Sequence, residues 1–138
     1  MLALALFLTA CRSDSPASPQ ALTTGTYALQ AIDGVPLPVT ILQTPSMRTR
    51  VLADTLRFGA QEGRYVQLPV LGEQQGTRPE RVTRVTSSAV LTYTQSTVDQ
   101  LVLSGFYGSE GPATATRVGQ ADLEVTRADG KRWRYARQ

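Results

Sequence analysis

Asp122 and Glu124 stand two residues apart in ADLEVTR, and on an extended strand that spacing sends both carboxylates to the same face. Such a pair could divide general acid and base work or hold a cation. The same spacing also describes an outward polar face opposite Leu123 and Val125. Ser87 and Ser88 offer hydroxyls, but the chain has no histidine, so a nucleophilic serine would have to lean on Lys131, the single lysine. Without histidine there is no Ser-His-Asp or Cys-His nucleophile, no imidazole zinc site and no side chain that titrates near neutrality unperturbed. Gly105-Phe-Tyr-Gly-Ser-Glu-Gly111 is glycine-rich, yet the lysine and helix of a phosphate loop do not follow it. It reads as a mobile hairpin tip. No catalytic residue, metal site or cofactor is assigned.

The aromatic residues carry more weight. Tyr27, Phe58, Tyr65, Tyr93, Phe106, Tyr107, Trp133 and Tyr135 are enough to fill the interior of a small barrel, as side chains do in eight-stranded barrels. Alternatively, some line a cup open at one end. There Trp133, Tyr107 and Tyr135 are the candidate ligand-binding residues, with a neighbouring arginine to hold an apolar ligand that bears an acidic group.

The elements that must position these groups are strands. Tyr27, Leu29 and Ala31 alternate against Ala28 and Gln30, and Leu56 and Phe58 alternate around Arg57, which is strand periodicity. Val39 to Gln43, Arg64 to Leu71 and Leu101 to Phe106 read as further strands, with Asp33-Gly34 and Gly59 to Gly63 as turns. Gly72 to Pro79 carries little apolar character beyond its flanks and is expected to be a solvent loop. Arg81 to Thr94 is too long for one flat strand and too rich in Thr and Val for a helix, so two strands or one bent strand around Ser87-Ser88 are expected. Between Pro112 and Gln120 a turn of helix remains open. The clearest hairpin closes the chain: Ala121 to Arg127, Ala-Asp-Gly130, then Lys131 to Arg137, in which Trp133 and Tyr135 alternate with Arg132 and Arg134.

Seven to nine short strands with turns between them predict an all-β fold. The expected form is an antiparallel up-and-down β-barrel of about eight strands, because closure removes edges that a Val/Thr-rich sheet would use to aggregate. A β-sandwich gives the same alternation and is the alternative. This domain is expected to span residues 22–138.

The first twenty residues give an address. Leu2 to Leu8 is an unbroken apolar run, far shorter than the roughly 18 to 20 residues of a membrane-spanning helix, and it matches the apolar core of a secretory signal. Leu8-Thr9-Ala10-Cys11 resembles the lipobox of bacterial lipoproteins, in which cleavage before the cysteine is followed by its acylation. That resemblance implies a signal peptide at residues 1–10, lipidation of Cys11 and a flexible linker over residues 11–21, where Arg12 to Gln20 is a Ser/Pro/Ala tract. No charged residue precedes Arg12, so a start upstream of Met1 is expected. Acyl chains contribute about 0.8 kcal/mol per buried methylene and hold a domain at a bilayer without crossing it.

Cys11 is the only cysteine, so packing and backbone ladders, not disulfides, must hold the fold. The formal net charge is +3, but the arginines are spread along the chain and dense only at the end, Lys131-Arg132, Arg134 and Arg137, which argues against nucleic acid as a partner. The segments Gly25 to Pro38, Leu101 to Gly105 and Asp122 to Tyr135 resemble those of uncharacterised bacterial lipoproteins with a lipocalin-like barrel. The resemblance implies the fold and a location in the cell envelope, lipid-anchored, with the outer membrane or periplasmic face favoured; it implies no activity. The expected function is that of a non-enzymatic module that binds a small apolar or acidic ligand or an envelope protein. The alternatives are an interaction domain with a filled core and, further off, a hydrolase built on carboxylates such as Asp122 and Glu124.

Overall fold

The computed structural model describes residues 21–59, 61–86 and 91–138. The apolar run, Cys11, the linker up to Gln20 and the Ser87-Ser88 pair lie outside the described residues. Those described form thirteen β-strands: β1 (Gly25–Ile32), β2 (Val35–Pro36), β3 (Val39–Gln43), β4 (Met47–Ala53), β5 (Thr55–Phe58), β6 (Tyr65–Gln67) and β7 (Val70–Gln75), followed by β8 (Arg81–Arg84), β9 (Thr92–Thr97), β10 (Gln100–Ser104), β11 (Ala113–Val118), β12 (Asp122–Thr126) and β13 (Arg132–Arg137). No helix occurs among the described residues, and residues 113–118, where a helical turn was open, are a strand.

The main sheet runs in the order β6-β5-β1-β13-β12-β11-β10-β9, with β2 paired to β1. Each of these strand pairs is antiparallel, and the last strand returns to lie beside the first. The sheet curls until its two edges nearly meet. Arg64 and Thr92 form a bridge across the seam, flanked by Tyr65 N–H to Leu91 C=O at 3.1 Å and Tyr93 N–H to Gly63 C=O at 2.9 Å. The fold is therefore an all-β, up-and-down barrel of eight strands, nearly closed, the expected form rather than the sandwich alternative.

Period-2 patterning decides what lies inside. Tyr27, Leu56, Leu101, Leu123, Trp133 and Tyr135 point inward and are buried, while Arg132, Arg134, Asp122 and Glu124 occupy the intervening outward positions. One inward row crosses four strands as Leu101, Ala115, Val125 and Trp133, so a small residue sits in the same layer as the indole. Such alternation of large and small side chains is how a narrow barrel reaches close packing. A register shift between Leu29 and Ala31 breaks the simple alternation in β1, and Ile32, not Ala31, becomes the fully buried residue.

At one end two strands outgrow the barrel. β4 runs straight into β5 through Asp54, and β6 into β7 through Leu68-Pro69; beyond these points β3, β4, β7 and β8 form a second, four-stranded sheet. Residues 72–75, expected to be loop, belong to β7. They carry no core-forming side chains, but β7 is paired on both sides, by β4 and β8, so the two backbone ladders hold it extended. The segment 81–94 splits as expected into two strands, β8 and β9, which pair with the same neighbouring stretch on either side of the divergence.

Candidate functional site

The three aromatic candidates converge on the end of the barrel where the second sheet diverges. β13 projects Trp133 and Tyr135 inward, and the hairpin tip after β10 brings Phe106 and Tyr107 over them. Phe106 meets the Trp133 ring edge-on, with centroids 5.5 Å apart, the arrangement aromatic quadrupoles favour. Arg127, the residue after β12, lies over the indole ring, 5.8 Å from its centroid. Its guanidinium also donates to the Gly108 carbonyl and pairs with Asp129 at 3.0 Å. These contacts join the hairpin tip to the closing hairpin.

Below this cap lies a buried polar cluster. Asp54 is 2% exposed; its Oδ2 accepts from Tyr135 Oη and Gln67 Nε2, each at 2.6 Å, and its Oδ1 accepts from Thr55 N–H at 2.8 Å. Gln67 passes the connection outward, since its Oε1 accepts from Tyr107 N–H at 2.8 Å. Tyr135 and Tyr107 are therefore joined through Gln67 and Asp54. Burial raises the Asp54 carboxyl from an ordinary 3.8 to about 6, against the pull of its hydrogen-bond donors. Burial also raises the Tyr135 and Tyr65 phenols, with the nearby Asp54 charge adding to both. A carboxyl near neutrality resembles a general acid or base, but this one is walled in by side chains.

The space around these groups is limited. Trp133 and Tyr135 are 0% exposed, and their rings are core. An open cleft of about 320 Å³ lies beside the cap, lined by Gly108, Glu110, Arg127, Ala128 and Asp129. Two buried donors near it, Trp133 Nε1 and Arg127 Nε, have no hydrogen-bond partner among the described residues.

Asp122 and Glu124 do share a face, as their spacing predicts, but it is the convex outer face. Asp122 is engaged by Arg134 at 2.8 Å, and Glu124 stands opposite Arg134 and Thr116 on neighbouring strands. Among the described residues no group of three or more His, Cys, Asp or Glu could hold a metal. Ser87 and Ser88 lie outside the described residues.

Sequence reasoning missed Asp54, Gln67 and Arg127. Asp54 was in reach: inward Leu56 and Phe58 imply an inward residue two places earlier. Gln67 follows from Tyr65 by the same rule. Comparison with family models, with curated proteins and with solved structures finds no match for this chain.

Proposed function

We propose that this chain is a lipoprotein of the bacterial cell envelope, anchored to the bilayer by acylated Cys11, whose barrel is a non-enzymatic binding module that engages an envelope protein through its surface. The observation that supports the surface reading is the number of large aromatic side chains packed inside the barrel. Trp133, Tyr27, Tyr135 and Phe106 are all fully buried within it, and they occupy the place a lipocalin-like cup would need. The address rests on the Leu-Thr-Ala-Cys11 sequence and the linker behind it.

A second reading is kept for one observation. The unpartnered Trp133 Nε1 and Arg127 Nε would welcome an oxygen acceptor, so a small acidic ligand could seat beside the cap if Tyr107 and its loop moved aside.

The test combines fractionation with photocrosslinking in cells. The full chain should float with membranes and Cys11→Ala should not, and photoreactive residues on the outer barrel and the second sheet should trap a discrete envelope protein. A cytosolic chain with an unmodified Cys11 would overturn the address. Crosslinking to nothing from any surface would overturn the binding role.

A further inference from the structure

The second sheet concentrates the chain's charge. Within residues 39–53 and 70–85, Arg48, Arg50, Arg78, Arg81 and Arg84 face only Glu73 and Glu80, a net +3 that equals the formal net charge of the whole chain. The remainder is balanced. Glu80 is committed to Arg50 by two hydrogen bonds of 2.8 and 2.6 Å. Its carboxylate lies flat over Gly72, where an added Cβ would meet it at 2.6 Å. Arg78, Arg81 and Arg84 have no carboxylate within salt-bridge distance among the described residues.

Two of these free cations flank an open backbone edge. Among the described residues β8 pairs on one side only, with β7. Val85 N–H bonds to Pro69 C=O at 2.9 Å. With the observed register, the alternation of antiparallel ladders then makes Thr83/Leu71 and Arg81/Glu73 the hydrogen-bonded pairs. Val82 and Arg84 are left with their N–H and C=O groups turned outward. Val82 is also 60% exposed. The edge stands at the end of the molecule opposite Ala21, since the described chain starts beside Arg137 and Gly59 at the far end of the barrel.

We propose that this edge is a docking strand for an extended acidic segment of a partner protein, which adds to β8 as a fifth strand. Backbone hydrogen bonds to Val82 and Arg84 supply the geometry, and the arginines select the charge. The pattern on β8 dictates the pattern on the partner. An antiparallel strand would place an acidic residue against Arg84, any residue against Thr83, an apolar one against Val82 and a second acidic residue against Arg81. The same arginines disfavour pairing of two β8 edges, because like charges would then stand close together. This inference deepens the protein-binding reading and rests on it.

The probe is a fluorescent capped peptide, Thr-Glu-Thr-Val-Glu-Thr, titrated against the full-length chain. Val82→Pro is the decisive variant. Its lost N–H faces outward and takes no part in the β7 ladder, a position where an edge strand tolerates proline, so the unfolding temperature should hold while affinity falls about tenfold or more. Arg81→Glu with Arg84→Glu should lose the glutamate peptide by a similar factor and gain its lysine counterpart. Equal affinity of Val82→Pro and the parent would mean charge attraction without strand addition and would overturn the proposal. So would equal binding of a scrambled peptide, dimerisation through β8, or preference for vesicles containing phosphatidylglycerol over the peptide. If the peptide fails while in-cell crosslinking still traps an envelope protein, the edge is wrong and the binding module stands. If both fail, both fall.

Discussion

Replacing Asp54 with asparagine should remove a specific pH dependence from the stability of the fold. In the folded chain the carboxyl titrates near pH 6, raised by burial, against 3.8 ordinarily. A carboxyl whose folded pKa is raised binds its proton more readily folded than unfolded. Its stabilising contribution is complete below the unfolded value and is lost as pH rises through the folded one. At about 1.36 kcal/mol per unit, the full span is about 3 kcal/mol, and the part lost between about pH 5 and about pH 7.5 is about 1.4 kcal/mol. For a domain of this size that is a fall of about 5 °C in melting temperature. Other shifted groups do not interfere in that window. Glu80, held below its ordinary range by Arg50, loses its contribution only in more acidic solution, and the buried phenols are raised above 10. Urea unfolding at a series of pH values, followed by tryptophan fluorescence, reads the effect directly. The parent should weaken from pH 5 to pH 7.5 while Asp54→Asn stays flat. A parent whose stability holds or rises over that range, or a variant with the same slope as the parent, would refute the reasoning.

Other outcomes follow from the same contacts. Tyr135→Phe removes the 2.6 Å donor to Asp54, so the carboxyl should titrate at a still higher pH, visible in its carbon chemical shift, with a stability cost of about 1 to 3 kcal/mol at neutral pH. Trp133→Ala empties the layer beneath Phe106 and Arg127 and should cost about 3 to 5 kcal/mol in denaturant unfolding. Gly105 has φ +81°, and an added Cβ would lie 2.8 Å from Leu91 Cδ2; Gly105→Ala should therefore lower stability by about 1 to 2 kcal/mol and broaden the resonances of Phe106 and Tyr107.

Much of the barrel is legible in the sequence because its strands have one wet and one dry face, and period-2 alternation reports that directly. The pairs Trp133/Arg132 and Leu123/Asp122 separate inside from outside without any structure. The second sheet was harder to read. Residues 72–75 look like loop because they bring no apolar face, and only the flanking ladders of β4 and β8, remote in sequence, keep them extended. The cap was half legible: Trp133, Tyr107 and Tyr135 were identified together, but not what joins them. Asp54 shares a face with Leu56 and Phe58, so its inward direction could be inferred. Its partner Tyr135 is 81 positions away, and no local pattern announces that contact. Arg127 is hidden for a different reason: its charge suggests solvent, while its guanidinium lies over the indole of Trp133. Arg81 and Arg84 are plain in the sequence, but their place on an open edge depends on sheet order.

The packed barrel as a surface-binding module is tested most directly by native mass spectrometry of the full chain released gently from membranes. The account predicts the mass of the chain with acyl groups on Cys11 and nothing further that denaturation removes, since Trp133, Tyr135, Tyr27 and Phe106 are already packed inside the barrel. A small molecule retained in the native spectrum and lost on unfolding would contradict it, and would move the function from the outer sheet to the space beside Arg127.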